Sequence, residues 1–429
     1  MYAIAIDLGT TTLAASLVET ANGRRLAMTG CLNPQRSFGA DVVSRLDAAV
    51  RSDDTLREML QLIRAELWRL VGDLCSTCDI PWDQVKQVAI AGNPAMQHIL
   101  LGLPVRSLAF PPYRPQYTEG TRLTATDLGW DGSAAVYVFP MPGGFVGGDT
   151  VAFLYGQLGK QVKEEVKVKS KLNSSCSTFS STLFLDMGTN GEMALLAGDT
   201  LWSTSAAAGP AFEGGNLACG MAALPGAIRS VRIKDERVFL QVIGNIPPIG
   251  ICGSAAIEAI AELLASDVIE PGGRLRDSTE IPSNLANRVM LRNGDNVFVL
   301  HRDARSLIYL SQGDIRQLQL AKSAIRAGME VLAERSRIQL QALKHVVLTG
   351  SFGAVLRPEW LKSIGIFDKS MLHITRFTPE GALTGAEKAL AAGDAFASTE
   401  LMAKRFRVIP LSGTQLFEDL FLRHMDFPH

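Results

Sequence analysis

One phrase occurs twice in this chain: an apolar run that ends in Asp, then Gly-Thr, then a second apolar run. IAIDLGTTTLAASLVE spans residues 4–19 and LFLDMGTNGEMALLAG spans residues 183–198. Each copy is typical of a β-hairpin with a carboxylate beside its turn. A chain folded as two similar halves could bring Asp7 and Asp186 to one ligand. The repeat therefore predicts a two-sided phosphate site.

Size and charge restrict the class of protein. The 429 residues exceed the roughly 250 to 300 at which one core stops growing, so we expect two domains or one large split domain. The 42 basic and 43 acidic residues give a net charge of -1, without long blocks of either sign. This balance argues against a nucleic-acid groove. With no signal peptide and no apolar stretch of membrane length, we expect a cytoplasmic protein without a membrane partner.

The cysteines are poor candidates for a metal site. Of six, only Cys75 and Cys78 are close in sequence. A zinc or iron-sulfur site made of protein thiolates needs four ligands, usually as two such pairs. We interpret the two as ordinary thiols at a helix end, with a metal or redox role as the less favoured alternative.

Short strands alternate with helices, which predicts an α/β architecture. Apolar spacing predicts helices that begin near Asp41 and cover residues 53–74. A buried strand over Val88 to Ala91 precedes a Gly-Asn-Pro turn and a short helix. A long helix is expected from Asp314, as its N-cap, to about Arg337.

Residues 157–181 interrupt this alternation of strands and helices with a Lys/Glu run followed by serines. We interpret them as a solvated loop or linker, with a basic docking strip as the alternative. The predicted division is a first half at 1–156, the linker at 157–181 and a second half at 182–429.

The hairpin residues suit a nucleotide. Gly9 and Gly188 allow phosphate oxygens a close approach, while nearby N–H groups and threonine hydroxyls donate hydrogen bonds. A carboxylate would repel phosphate, but it can hold the hydration shell of Mg²⁺. For one copy, an ordinary Gly-Thr turn with a hydrogen-bonded Asp is the better interpretation; two copies favour the phosphate site.

Two further motifs fit the same ligand. Gly147 to Thr150 stands at a loop-to-helix transition, where Asp149 could orient or deprotonate an attacking water or hydroxyl; a helix N-cap is the alternative role. Leu348 to Gly353 places glycines after a buried strand, where an α/β sheet offers its ligand crevice. Together with the hairpins, this second motif predicts the adenosine seat.

The order of these motifs is similar to that of the ATPase superfamily of acetate and sugar kinases, Hsp70 and actin. The resemblance implies two ribonuclease-H-like α/β halves flanking a nucleotide cleft. More narrowly, the chain looks like the reductive activators of corrinoid proteins over nearly its whole length, except residues 157–181. The phrases that carry this resemblance are FGADVVSRL, GNPAMQH, GGFVGGDTVA, LDMGTNGE, AAGPAFEGGNLACGM, PIGICGSAAI, DIRQLQLAKSAI and the closing MDFPH.

The resemblance implies a role: ATP-dependent return of a corrinoid protein from inactive Co(II) to Co(I). It also assigns site residues. Asp7 and Asp186 would hold Mg²⁺ through water, and Asp149 would position water. The phosphate and adenosine motifs match Gly9, Thr10, Thr11, Gly188, Thr189, Asn190, Gly191, Gly350, Ser351 and Gly353. A stretch expected to face the partner matches Ser205 and the loop Ala208 to Glu213, including Gly209.

One departure shapes the expected chemistry. Members usually carry an N-terminal ferredoxin-like domain with a [2Fe-2S] cluster, whereas this sequence starts at the ATPase module. We therefore expect no iron-sulfur cluster in this chain and a separate low-potential electron donor. A small-molecule kinase with Asp149 as base, and a nucleotide-gated binding module without electron transfer, remain as alternatives. Homodimer formation is left open.

Overall fold

The computed structural model describes residues 1–169, 180–350 and 356–428, with the side chains of 160, 161 and 163–169 left aside. Its backbone contacts separate two units. The first unit holds the described residues of Met1–Phe179, with Leu196–Thr204 and Glu380–Ile409. The second holds Ser180–Leu195, Pro410–His429 and Ser205–Pro379, again as far as described. Neither unit is one continuous stretch of chain.

The elements alternate along the chain as the sequence predicts. The N-terminal part contains β1 Tyr2–Leu8, β2 Thr12–Glu19, β3 Arg24–Leu32, α1 Val42–Arg51, α2 Asp53–Cys78, β4 Val85–Gly92, α3 Pro94–Leu101, α4 Arg106–Ala109, β5 Thr121–Thr124, β6 Ala135–Val138 and α5 Gly148–Lys169. It continues with β7 Thr182–Met187, β8 Gly191–Ala197, β9 Thr200–Ala206, β10 Ala227–Lys234, β11 Arg237–Val242, β12 Gly250–Ile251, α6 Gly253–Ala265, β13 Val289–Arg292, β14 Asp295–Arg302 and β15 Leu307–Ser311. The last part contains α7 Gln312–Ser336, β16 His345–Thr349, α8 Pro358–Ser363, β17 Thr375–Phe377, α9 Gly381–Leu390, α10 Ala397–Ala403, β18 Phe406–Val408 and α11 Gln415–Arg423.

The first unit is built on a mixed sheet with strand order β3-β2-β1-β4-β6-β5. β1 is antiparallel to β2 and parallel to β4, and β4 is parallel to β6. Because β1 and β4 are covered on both faces, they are nearly continuous apolar runs, as buried strands should be. The parallel pairing sets the carboxyl ends of β1, β4 and β6 at one edge, where the ligand crevice of an α/β sheet is expected.

Several predicted helices are confirmed. Asp41 is the N-cap of α1, and its side chain accepts from the Ser44 N–H. α2 covers the predicted 53–74 and buries one apolar face that includes Ile63 and Leu67. Because the apolar positions recur at helical spacing, that face packs on the sheet core while the polar face stays in water.

Two expectations about helices were wrong. Asp314 is not the N-cap of α7; Ser311 is, and Asp314 is the third helical residue, whose side chain accepts from the Ser311 N–H. Ser311 and Asp314 form a capping box, in which an acidic residue at the third helical position also binds the helix start. The sequence prediction therefore took Asp314 for the N-cap. Residues 157–169 are not a loop but the second half of α5, since Lys and Glu are good helix formers. Residues 170–179 lie outside the described residues.

Helices α5 and α9 of the first unit cross at close range because small residues face each other. A Cβ added at Gly156 would lie 3.2 Å from the Cα of Gly385. A Cβ added at Gly385 would collide with the carbonyl oxygen of Ala152. Small residues on both helices therefore permit this close packing. This contact brings the chain after Glu380 back onto the unit that carries β1.

The second unit contains its own hairpin of the repeated kind. Within this unit β17, β16, β7 and β8 are successive neighbours, and β7 is parallel to β16. Two smaller sheets, β11-β10-β12 and β13-β14-β15, accompany it. In the first unit β9 pairs in parallel with β18. Among the helices that the structure describes, none is long and apolar enough to cross a membrane.

Two helical glycines provide a test of the close crossing. Gly385→Ala should destabilise the fold by about 1–3 kcal/mol, because its methyl group meets backbone that cannot move aside. Gly72→Ala, at an exposed position of α2, should stabilise the fold by up to about 1 kcal/mol, because no neighbouring atom lies within 4 Å of the new methyl group. Urea unfolding of both variants measures the two changes. Equal signs would contradict the packing described for α5 and α9.

Candidate functional site

The first hairpin, β1 and β2, turns through Gly9 to Thr11 directly after Asp7. Its turn is held from β3's end: Asn33 Nδ2 donates to the Gly9 carbonyl oxygen at 2.9 Å, and the Asn33 N–H donates to the Thr11 carbonyl oxygen at 2.9 Å. A Cβ at Gly9 would collide with the carbonyl oxygen of Thr12, so only glycine fits there. The turn is therefore rigid before any ligand arrives.

A second asparagine fixes the hydroxyl of this turn. Asn93 is the N-cap of α3, where its Oδ1 accepts from the Met96 N–H at 3.0 Å. Its Nδ2 donates to Thr10 Oγ1 at 2.8 Å, and both side chains are buried. Since Thr10 accepts this bond, its hydroxyl keeps its own hydrogen for a ligand oxygen. The Gly-Asn-Pro turn thus belongs to the site.

Asp149 lies in the first turn of α5, one residue after its start at Gly148, so the alternative role as N-cap does not hold. Its Oδ1 accepts from the Thr150 N–H at 2.6 Å. The carboxyl group is partly exposed, yet enclosed enough that burial raises its pKa to about 6, against the lowering effect of that hydrogen bond. A carboxylate with such a pKa is ionised at neutral pH and can still accept a proton.

Asp7 shares its surroundings with two other carboxylates of the first unit. Burial, followed by the negative charges of Asp149 and Glu380, raises the pKa of Asp7 to about 7. Glu380 is held by Arg25, whose Nη1 lies 2.6 Å from its Oε2 and whose Nε lies 2.6 Å from Glu387 Oε1. The side chain of Asp7 is only partly exposed, so little water remains to stabilise its charge. This is an arrangement that a cation would stabilise.

The second hairpin, β7 and β8, repeats the layout within the second unit. Asp186 stands near the end of β7, and in the turn the Gly188 N–H donates to the Asn190 carbonyl oxygen at 3.1 Å. The Thr189 hydroxyl donates to Glu213. A Cβ at Gly191 would collide with the side chain of Ile325 on α7, so packing, besides any ligand, requires glycine there.

The strand register places the predicted adenosine motif beside this hairpin. Thr349 of β16 is the parallel partner of Asp186, so Gly350 follows at the same edge of the sheet. Gly350 has φ 143°, a conformation that favours glycine. Ser351 and Gly353 lie outside the described residues. The described part of this motif, which ends at Gly350, therefore lies beside the second hairpin.

The predicted partner-facing residues are spread over one stretch of the second unit. Ser205 lies on β9, and Gly209, with φ 76°, precedes the short 3-10 helix Pro210–Glu213. The carboxylate of Glu213 contacts the hairpin through Thr189, which sequence analysis did not indicate. That these residues face a partner stays a prediction.

The sequence missed residues that hold the site rather than line it. Asn33, Asn93, Gln97 and Glu380 contact or influence the predicted residues, but they come from separate parts of the chain. Asn33 and Asn93 each carried a signal, as an Asn before Pro at a helix start, whereas Gln97 and Glu380 carried none. Among the residues that the structure describes, no group of three or more His, Cys, Asp or Glu is arranged to hold a metal. A cation here would take most of its ligands from water and phosphate.

A rigid turn after a carboxylate, in each of two ribonuclease-H-like α/β units, is the arrangement of a nucleotide-phosphate-binding protein of the actin and sugar-kinase class. The family described as the C-terminal domain of RACo, the ASKHA domain, matches residues 180–429, and the RACo middle region matches residues 2–159. The chain therefore belongs to the RACo family. The resemblance stated from the sequence and the α/β fold class are both confirmed.

Individual relatives agree. The chain is 30% identical over 396 residues to the corrinoid activation enzyme RamQ of Eubacterium limosum, covering 90% of this chain and 64% of that protein. It is 26% identical to the [Co(II) methylated amine-specific corrinoid protein] reductase of Methanosarcina barkeri, covering 85% and 65%. A solved reductive activator for corrinoid, iron-sulfur protein superimposes with a TM-score of 0.87 at 30% identity, covering 100% and 66%. The chain thus spans slightly less than two thirds of these relatives.

The raised pKa of Asp7 predicts a pH dependence of stability. An unfolded Asp releases its proton near pH 3.8 and the folded one near pH 7, so between these values the folded state binds more protons. Stability must then fall as pH rises through this window. Without nucleotide or divalent cation, Asp7→Asn should gain stability relative to the wild type between pH 5 and pH 8, by roughly 1–3 kcal/mol.

Urea unfolding at the two pH values measures this difference. The control is Asp131→Asn, at an exposed aspartate of the same unit, which should follow the wild type at both. A stability difference between Asp7→Asn and wild type that does not change with pH would contradict the raised pKa.

Proposed function

We propose that this chain is the ATP-dependent part of a reductive activator, which returns a corrinoid protein from Co(II) to Co(I). The observation that carries the proposal is the match of both RACo regions over nearly the whole chain, with Asp7, Asp149 and Asp186 each at the end of an element that holds it. The names of the relatives support the same reaction. Because the chain spans less than two thirds of their length, the activity of the whole protein is part of the proposal.

In this proposal the turn of each hairpin is a phosphate-binding element of its own unit. Backbone N–H groups and the hydroxyl of Thr10 bind phosphate oxygens, and the strand end at Gly350 receives the adenosine. Rigid turns suit this task, because a turn already held by Asn33 and Asn93 loses little entropy on binding.

The donor set fits hydrated Mg²⁺. Asp7 lies among negative charges, and an incoming divalent ion would favour its ionised form. Asp7 would hold the ion through its water ligands, with Asp186 as the corresponding carboxylate of the second unit, since Mg²⁺ keeps several waters and binds few carboxylates directly. The ion supplies neutralisation of phosphate charge.

Asp149 acts on the water. It accepts a hydrogen bond from a water molecule whose oxygen forms a bond to the γ-phosphorus while the bond to the β–γ bridging oxygen breaks. The water proton passes to Asp149 and then to solvent, leaving ADP and phosphate. A pKa of about 6 suits this exchange near neutral pH.

In this proposal ATP hydrolysis supplies free energy, and the electron that reduces the cobalt comes from another source. One electron from a low-potential donor reduces Co(II) to Co(I), and the free energy of ATP hydrolysis changes the affinity of this chain for the corrinoid protein. A ligand can shift a partner's state only through such a difference in affinity. The corrinoid protein is thus both substrate and partner.

Asp186→Ala tests the nucleotide assignment. Loss of this carboxylate should lower ATP turnover by roughly 100-fold or more, since it removes a group that holds the hydrated Mg²⁺ and with it the neutralisation of phosphate charge. The fold should persist, because Asp186 is a partly exposed residue at a strand end. Phosphate release with Mg²⁺ measures the loss, and Asp295→Ala, at an exposed aspartate of the same unit, is the control. Near-normal hydrolysis in Asp186→Ala would sink the assignment.

The whole activity is tested by mixing the chain with ATP, a low-potential reductant and Co(II)-corrinoid proteins, and following the visible spectrum. We expect a Co(I) band that requires both ATP and Asp149. Phosphate transfer to a small-molecule hydroxyl, with no phosphate release in its absence, would instead identify a kinase. Nucleotide-dependent partner binding without turnover would identify a gated binding module.

A further inference from the structure

The side chain of Gln97 joins two backbone groups beside Asp149. Gln97 lies on α3 and is fully buried. Its Nε2 donates to the Phe139 carbonyl oxygen at 2.8 Å, and its Oε1 accepts from the Gly148 N–H at 3.2 Å. An amide that donates on one side and accepts on the other has one allowed orientation, because turning it over would set like groups against each other.

The backbone turn that Gln97 holds is tightly packed. Gly148 is the first residue of α5, so its N–H has no partner within the helix. A Cβ at Gly147 would lie 2.5 Å from the Gly92 carbonyl oxygen, and one at Gly148 would lie 2.5 Å from Phe139 Cβ. The turn is pressed against the ends of β4 and β6. Asp149 follows it directly, so the place of the turn decides the place of the carboxylate.

The same short helix also holds the first hairpin. Asn93, at the N-cap of α3, donates to Thr10, while Gln97, one turn later, binds Gly148. α3 therefore sets the spacing between the phosphate-binding turn and Asp149. This spacing matters chemically, because the water that Asp149 orients must stand in line behind a phosphate that the turn holds.

We propose that Gln97 is a positioning residue for ATP hydrolysis: through the Gly147–Gly148 turn it places Asp149 relative to the first hairpin. This inference rests on the proposed function. Gln97 would act through the Phe139 carbonyl oxygen and the Gly148 N–H that it binds, and not by contact with ATP. Its loss would leave phosphate binding to Asn93 and Thr10 in place and let the carboxylate drift, and a displacement of about 1 Å can cost about 100-fold in rate.

Three variants of the full chain test the proposal. Gln97→Met keeps the length of the side chain and removes both hydrogen bonds. Gln97→Glu keeps an acceptor for the Gly148 N–H. Gln319→Met is the matched control: Gln319 on α7 is equally buried, and its amide donates to the Met425 carbonyl oxygen at 3.0 Å in the second unit. The measurements are steady-state ATP hydrolysis with Mg²⁺ and amide hydrogen exchange of peptides that cover residues 139–150.

In Gln97→Met, kcat should fall about 100-fold while KM for ATP changes less than about threefold. Exchange around Gly148 should become faster. Gln97→Glu should retain more of kcat than Gln97→Met, and Gln319→Met should keep the wild-type kcat and exchange at 139–150. A merely structural role for Gln97 would instead lower stability and leave kcat of the folded fraction unchanged.

Three results would overturn the inference alone. The first two are a kcat of folded Gln97→Met within threefold of the wild type and unchanged exchange around Gly148. A rise of KM at constant kcat would do the same, because it would assign Gln97 to binding. If the wild-type chain hydrolyses no ATP with or without a corrinoid protein, the proposed function fails too. The exchange data distinguish the two failures, since they report on the turn without turnover.

Discussion

Three carboxylates that lie close together with little access to water, those of Asp7, Asp149 and Glu380, are the main electrostatic constraint on the first unit. Asp7, Asp149 and Glu380 come from three distant parts of the chain, and their mutual repulsion adds to burial in raising the pKa of Asp7 to about 7. The three carboxylates stay close together because Arg25 forms an ion pair with Glu380 and because the rigid backbone fixes the positions of the aspartates. A cation bound beside Asp7 would offset this repulsion, and its binding would then be coupled to the stability of the unit.

Close backbone packing makes that arrangement possible. Glycines stand where a side chain would strike backbone: Gly9 in the first turn, Gly147 against β4, and Gly385 where α9 crosses α5. The last of these returns the chain so that Glu380 can approach Asp7. Buried amides complete the frame, since Asn33, Asn93 and Gln97 each pair a backbone group that would otherwise be left without a partner.

Much of this could be read from the sequence, for local reasons. Strands, helices and hairpins follow from periodicity and turn residues, so β1, α2 and the turn before α3 lie where expected. Errors arose where two local rules compete. A Lys/Glu run suits a solvated loop or an exposed helix, and the 157–169 part is helix. Asp314 fits two positions of a helix start, and only the hydrogen bonds of Ser311 decide between them.

By itself the sequence determined the family and the α/β class. It also predicted the carboxylates Asp7, Asp149 and Asp186, because each stands beside glycines in a short motif that local chemistry explains. Only the tertiary structure decided which groups act on those carboxylates. Glu380 raises the pKa of Asp7, Asn93 holds Thr10 and Gln97 holds the turn before Asp149 through contacts between residues far apart in the chain. Such contacts depend on strand register and helix crossing, and no local pattern encodes them.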